Sequence, residues 1–190
     1  MNELAATIQY IVVQTQHNLY LLLLMIAVLF LVLVVTKLTG NRLLVLGIYP
    51  RHFLGLFGII FAPMLHANFN HVFFNAIPLF FLGDFILLFG DVMFLKITVC
   101  ITLLSGSMIW LMGRKAIHIG ASSLITGYWG FLIMNVYHQG SLMAILLGII
   151  CIYYFAGIFF SIFPTQKGVS WEGHLFGLIA GVLTNYLLIS

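Results

Sequence analysis

Charge is what this chain has least of. Seven Lys or Arg and four Asp or Glu make up 6% of 190 residues, where a soluble globular domain carries roughly 25%. A soluble fold is excluded on that ground. A nucleic-acid surface needs a basic cluster, and a net charge of +3 scattered along the sequence supplies none. Cysteine is nearly absent as well. Cys100 and Cys151 each sit inside an apolar run, where they read as small buried hydrophobes rather than as a disulfide framework or metal ligands.

What remains is apolar. Hydrophobic residues make up 63% of the chain, mean hydropathy is +1.20, and there are 18 Gly and 18 Phe. That composition fits apolar helices whose small residues let backbones approach closely. A helix needs about 20 apolar residues to cross the hydrocarbon. Six stretches qualify, approximately residues 19–36, 71–89, 92–112, 121–137, 142–163 and 171–189. They predict an all-α polytopic membrane protein, a single domain over residues 1–190 with no room for a second. The first run is long for a signal-peptide core and no small-residue cleavage site follows it, so it reads as a retained span.

The connection 37–70 is rich in glycine and apolar residues, is broken by Pro50 and Pro63, and carries Arg42, Arg51 and His52. It is too interrupted for a span and too greasy for a solvated loop. It reads as a hairpin or short helices embedded at the membrane interface against the bundle.

Polar residues inside spans are expensive and are by default candidates for function. His66, His71 and Asn75 gather at the start of span two, Ser122 and Ser123 open span four, and His174 opens span six. Consecutive spans alternate in direction, so the N-terminal ends of spans two, four and six share one side and one depth. His71 and Asn75, four apart, share a helix face. Ser122 meets His174 only if span four packs on span six. The glycines Gly173, Gly177 and Gly181 offer a flat face for that packing, with Gly120 and Gly127 as partners on span four.

The chemistry suggested is acyl transfer. A serine hydroxyl needs a base, and neutral histidine is well poised for that role near pH 7. No acid stands out as a third member: Glu172 is two residues before His174, and Asp84 and Asp91 lie far down span two or beyond it. A dyad of Ser122 and His174 fits better. The Ser122 N–H with His71 and Asn75 would then hold the oxyanion.

Blander readings stand beside this one. Histidines in spans can be interhelical glue, the serines can cap a helix, and the glycines are packing. His17, His52, His118 and His138 read as interfacial anchors or local hydrogen-bond partners. A transporter would show an internal repeat, and the halves share no motif. A metal between His66 and His71 finds no completing Cys or carboxylate, so neither metal nor cofactor is expected.

At these residues the chain resembles the rhomboid intramembrane serine proteases. His66-x4-His71-x3-Asn75 is similar to the family's second-span motif, Gly120-Ala121-Ser122-Ser123 to its G-x-S-G, and His174-x2-Gly177-x3-Gly181 to its sixth-span motif. Each alone is weak, but the three in order on spans two, four and six are specific. The resemblance implies a six-transmembrane-helix rhomboid-like bundle with a membrane-embedded first loop. It also implies a Ser122/His174 dyad, an oxyanion site of His71, Asn75 and the Ser122 N–H, and structural roles for His66, Gly120, Gly177 and Gly181. Partners would be the lipid bilayer and transmembrane protein substrates, cut near a membrane boundary after small residues, and the setting a bacterial inner membrane. Some relatives of such proteases are inactive and bind or escort membrane helices, which is the alternative.

Three positions depart from the family's pattern. Ser123 replaces the second glycine, Thr126 stands where an aromatic ring often stacks under the histidine, and the acid common a few positions after the glycine matching Gly83 is missing. Charge also bears on orientation. Lys37, Arg42, Arg51, Arg114, Lys115 and Lys167 fall on the catalytic side and only Lys96 opposite, which would turn the active face to the cytoplasm. The resemblance implies the reverse, and we adopt it because arginine in an embedded loop can be structural.

Overall fold

A computed structural model describes residues 2–163 and 170–189. Its six long helices are α1 (Glu3–Leu38), α2 (Phe69–Leu87), α3 (Asp91–Met112), α4 (Ser122–Gln139), α5 (Leu142–Phe160) and α6 (Trp171–Ile189). Five are long and apolar enough to cross a membrane, and α4 is not among them. The reason is position. α4 is the central helix, buried without interruption from Leu124 to Leu132. It faces protein rather than lipid, so its polar content carries no lipid-solvation cost.

α1 begins sixteen residues before the expected span, at Glu3, capped by the Asn2 side chain accepting from the Ala5 N–H at 2.8 Å. At 1.5 Å per residue its 36 residues run about 54 Å, well beyond the roughly 30 Å of hydrocarbon. Polar residues such as Gln14, Thr15 and Asn18 interrupt the hydropathy there without interrupting the helix. A single stripe of α1 is buried, Asn18, Leu22, Leu29, Leu33 and Thr36. It packs on α2. At the other end of the chain, α5 stops at Phe160 and Ser161 forms its C-cap, short of the expected limit at 163.

The segment between α1 and α2 folds as a series of short helical turns, Arg42–Leu46, Phe53–Leu56, Gly58–Phe61 and Ala62–Met64. Phe53, Leu54, Phe57 and Ile60 are exposed on it, as suits a loop lying in lipid. Several hydrogen bonds fix it to the bundle. Ile48 pairs with His118 through reciprocal backbone bonds of 3.0 and 2.9 Å. Arg51 donates from Nη1 to the carbonyls of Leu111 and Gly113 at 3.0 and 2.9 Å, occupying acceptors at the end of α3.

α6 packs most extensively on α4. A Cβ on Gly181 would run into the Gly127 backbone, 2.7 Å from its carbonyl carbon, and one on Gly177 would lie 2.9 Å from the Ser123 carbonyl carbon. Only glycine permits this approach. Gly173 does not share the seam: it faces Ser170 and Ile109, so the expected three-glycine face is a two-glycine face.

Candidate active site

The first turn of α4 is set by Gly120, whose φ of +109° favours glycine. Its N–H donates to the Ala62 carbonyl at 2.9 Å, pinning the turn to the embedded loop. Ala121 follows as N-cap without a side-chain hydrogen bond, and Ser122 is the first residue of the helix. The serines therefore do not cap α4. Ser122 is half-buried, and its N–H belongs to the helical turn that has no intrahelical acceptor.

His71 and Asn75 approach from α2. The Asn68 side chain caps that helix by accepting from the His71 N–H at 2.9 Å. A Cβ on Gly120 would stand 2.7 Å from His71 Nε2 and 3.4 Å from Asn75 Nδ2, so both side chains border the turn that presents Ser122. His66 controls the amide. Its Nδ1 lies 3.3 Å from the Met64 carbonyl and its Nε2 3.1 Å from Asn75 Nδ2. Burial, with the charge of His71 second, holds the His66 pKa down at about 4. The neutral ring donates from Nδ1 to the carbonyl and accepts the Asn75 N–H at Nε2. One Asn75 amide hydrogen is thereby committed and the second is left over. The rings of His66 and His71 meet edge to face at 4.9 Å between centroids, a contact that their spacing in sequence does not suggest.

His174 comes from the first turn of α6, one turn before Gly177, which rests on Ser123. Its Nδ1 lies 2.8 Å from the carbonyl oxygen of Ser161. Thr126, at the position where the resemblance implies an aromatic ring, is 3% exposed and donates its hydroxyl to the carbonyls of Ser122 and Ser123, both at 3.0 Å. Its small side chain lies against Gly177, where a ring would hold α6 away. A cavity of about 20 Å³, enough for one water, touches Ser122, Ser123, His118 and Ser170.

Several residues support the site from outside it, beyond the local roles their sequence positions suggest. His118 is buried and joins three segments: Nδ1 lies 2.7 Å from Ser170 Oγ, Nε2 lies 3.0 Å from the Arg114 carbonyl, and its backbone pairs with Ile48. Ser170 Oγ also accepts from the Gly173 N–H at 3.2 Å, so His118 steadies the start of α6. Glu172 pairs with Arg114 at 3.0 Å. Arg51 and Arg114 are thus both engaged in loop structure, while Lys167 lies outside the described residues. His138 Nδ1 is 2.6 Å from Asn185 Oδ1, and His17 is exposed.

The Rhomboid domain family model matches residues 54–190. The chain belongs to the rhomboid family. Among similar proteins is the uncharacterized protein Rv1337 of Mycobacterium tuberculosis, 40% identical over 172 residues that cover 86% of this chain and 72% of that one. Another is the uncharacterized protein ML1171 of Mycobacterium leprae, 37% identical over 171 residues, or 85% and 68% of the two chains. These relatives are bacterial, and with its apolar helices this rhomboid-family chain is an integral membrane protein.

Proposed function

We propose that this rhomboid-family chain is an intramembrane serine endopeptidase, acting on transmembrane segments of protein substrates in a bacterial inner membrane. Ser122 Oγ attacks the scissile carbonyl, and His174 Nε2 accepts its proton. The oxyanion is held by the Ser122 N–H, the uncommitted Asn75 amide hydrogen and His71. Protonated His174 then delivers its proton to the leaving amine, and water releases the acyl group from Ser122. A helical backbone is a poor protease substrate because its groups are already paired, so segments that unwind near the membrane boundary are preferred.

One observation carries this reading: Gly120 sets Ser122 at the free N-terminus of α4 while its bare Cα face is bordered by His71 and Asn75. The test is labelling by a fluorophosphonate in detergent. Wild-type protein should react, and Ser122→Ala should lose at least about 10⁴-fold in labelling rate with unchanged folding. No reaction by folded wild type would instead favour a helix-binding, non-proteolytic relative.

A further inference from the structure

Serine–histidine chemistry needs a third influence, one that fixes which imidazole nitrogen carries the proton and steadies the imidazolium once formed. In a triad a buried carboxylate does both. Here Glu172 is held by Arg114, and Asp84 stands thirteen residues, about 20 Å, along α2 from His71. What His174 Nδ1 meets is backbone. The Ser161 carbonyl lies 2.8 Å from Nδ1, and a carbonyl only accepts, so Nδ1 carries the hydrogen and the Nε2 lone pair is free.

That carbonyl sits at the C-cap of α5. Carbonyls at a helix C-terminus lack intrahelical partners and carry the negative end of the helix dipole, which favours a cationic histidine. The cap is itself fixed, since the Ser161 hydroxyl and N–H both donate to the Ile158 carbonyl. We propose that the C-terminal end of α5, through the Ser161 carbonyl, is the orienting group of the dyad, in the place a carboxylate occupies in a triad. The inference rests on reading Ser122 and His174 as that dyad. Ser161 is a positioning residue acting through its main chain, and His174 is a competent base only while α5 is seated.

α5 is suited to such control. Only 22% of its most apolar stretch is buried, against 56% for α2, and it packs chiefly on α4. One anchor is the Trp129 Nε1–H donating to the Cys151 carbonyl at 3.1 Å. Shifting α5 would withdraw the Ser161 carbonyl while leaving the oxyanion donors of α2 and α4 in place.

The test uses the full chain in detergent with nitrogen-15 histidine. One variant replaces Ile162 by its α-hydroxy acid, which turns the Ser161 carbonyl into a weaker ester acceptor and forgoes only the 3.3 Å Ile162 N–H bond to Phe159. A second inserts one Gly between Phe160 and Ser161, displacing the carbonyl. In wild type His174 should be the Nδ1–H tautomer. In the ester variant the other tautomer should rise, and fluorophosphonate labelling should slow about tenfold to 30-fold with Tm unchanged. The insertion should do more, and if it fails to fold the ester decides alone. An Nε2–H tautomer in wild type, or an ester variant with native tautomer and rate, would overturn the proposal. Failure of the dyad reading looks different: Ser122→Ala would still label, whatever the tautomer.

Discussion

Asp84 and Asn75 lie on the same helix and are both nearly sealed from solvent, at 4% and 9% exposure, yet their surroundings differ in kind. Asp84 is saturated. Thr15 Oγ1 donates to one carboxylate oxygen at 2.6 Å and Asn18 Nδ2 to the other at 2.8 Å, joining α1 to α2. Asn75 spends one amide hydrogen on His66 and keeps the other beside Gly120. A polar group at membrane depth is costly in either setting. Where its partners are complete it holds helices together, and where capacity is left over toward a half-buried serine it is available for chemistry. The contrast predicts that the two residues fail in separable ways.

On the proposed mechanism Asn75→Ala removes one oxyanion donor and should slow cleavage of a model transmembrane substrate by ~10²- to 10³-fold, with a small change in Tm. A large loss of Tm with a proportionate loss of activity would instead place Asn75 with Asp84, as architecture. Gly181→Val tests the seam on which both ends depend. Its side chain would occupy the space of the Gly127 backbone, so melting in detergent should reveal about 1–3 kcal/mol of destabilisation. Unchanged Tm would mean that α6 has room to move away from α4. Asp84→Ala is the mirror of the first test. It leaves Thr15 and Asn18 without their acceptor, at about 1–3 kcal/mol, so Tm should fall while fluorophosphonate labelling of the folded fraction keeps its rate.

How much of this could be read beforehand follows from the range of each interaction. The parity of spans places His71, Asn75, Ser122 and His174 at one end because it depends only on counting apolar runs. Gly177 and Gly181 were legible as a packing face because their spacing is local. Gly173, at the same spacing, faces Ser170 instead, since the spacing cannot say where a face ends. In the sequence Asp84 is only an acid too far down span two to orient His174, and its true partners stand 66 and 69 residues earlier, on a part of α1 too polar to look like a span. Ser161 acts through a carbonyl that every residue possesses, so no pattern of side chains announces it. In the sequence Thr126 is only a departure from an aromatic, and the packing shows it admitting α6 close to the first turn of α4.

The smallest predicted effect concerns the bond that holds the Asn75 amide. Folded His66 has a pKa of about 4, lowered first by burial and then by the charge of His71, against 6.5 for an ordinary histidine. Between those values the unfolded chain binds a proton that the folded chain refuses. The contribution of His66 is therefore intact above pH 6.5 and is lost progressively as the pH falls toward 4, amounting to roughly 1 kcal/mol at pH 5.5. His66→Gln keeps an acceptor for Asn75 and a donor for Met64 but does not titrate, so its Tm should decline less steeply over this range than that of wild type. Parallel slopes would assign the acid sensitivity to other groups. They would also mean that His66 is more open to water than its complete burial indicates, which would loosen its hold on Asn75 and on the spare amide hydrogen of the proposed oxyanion site.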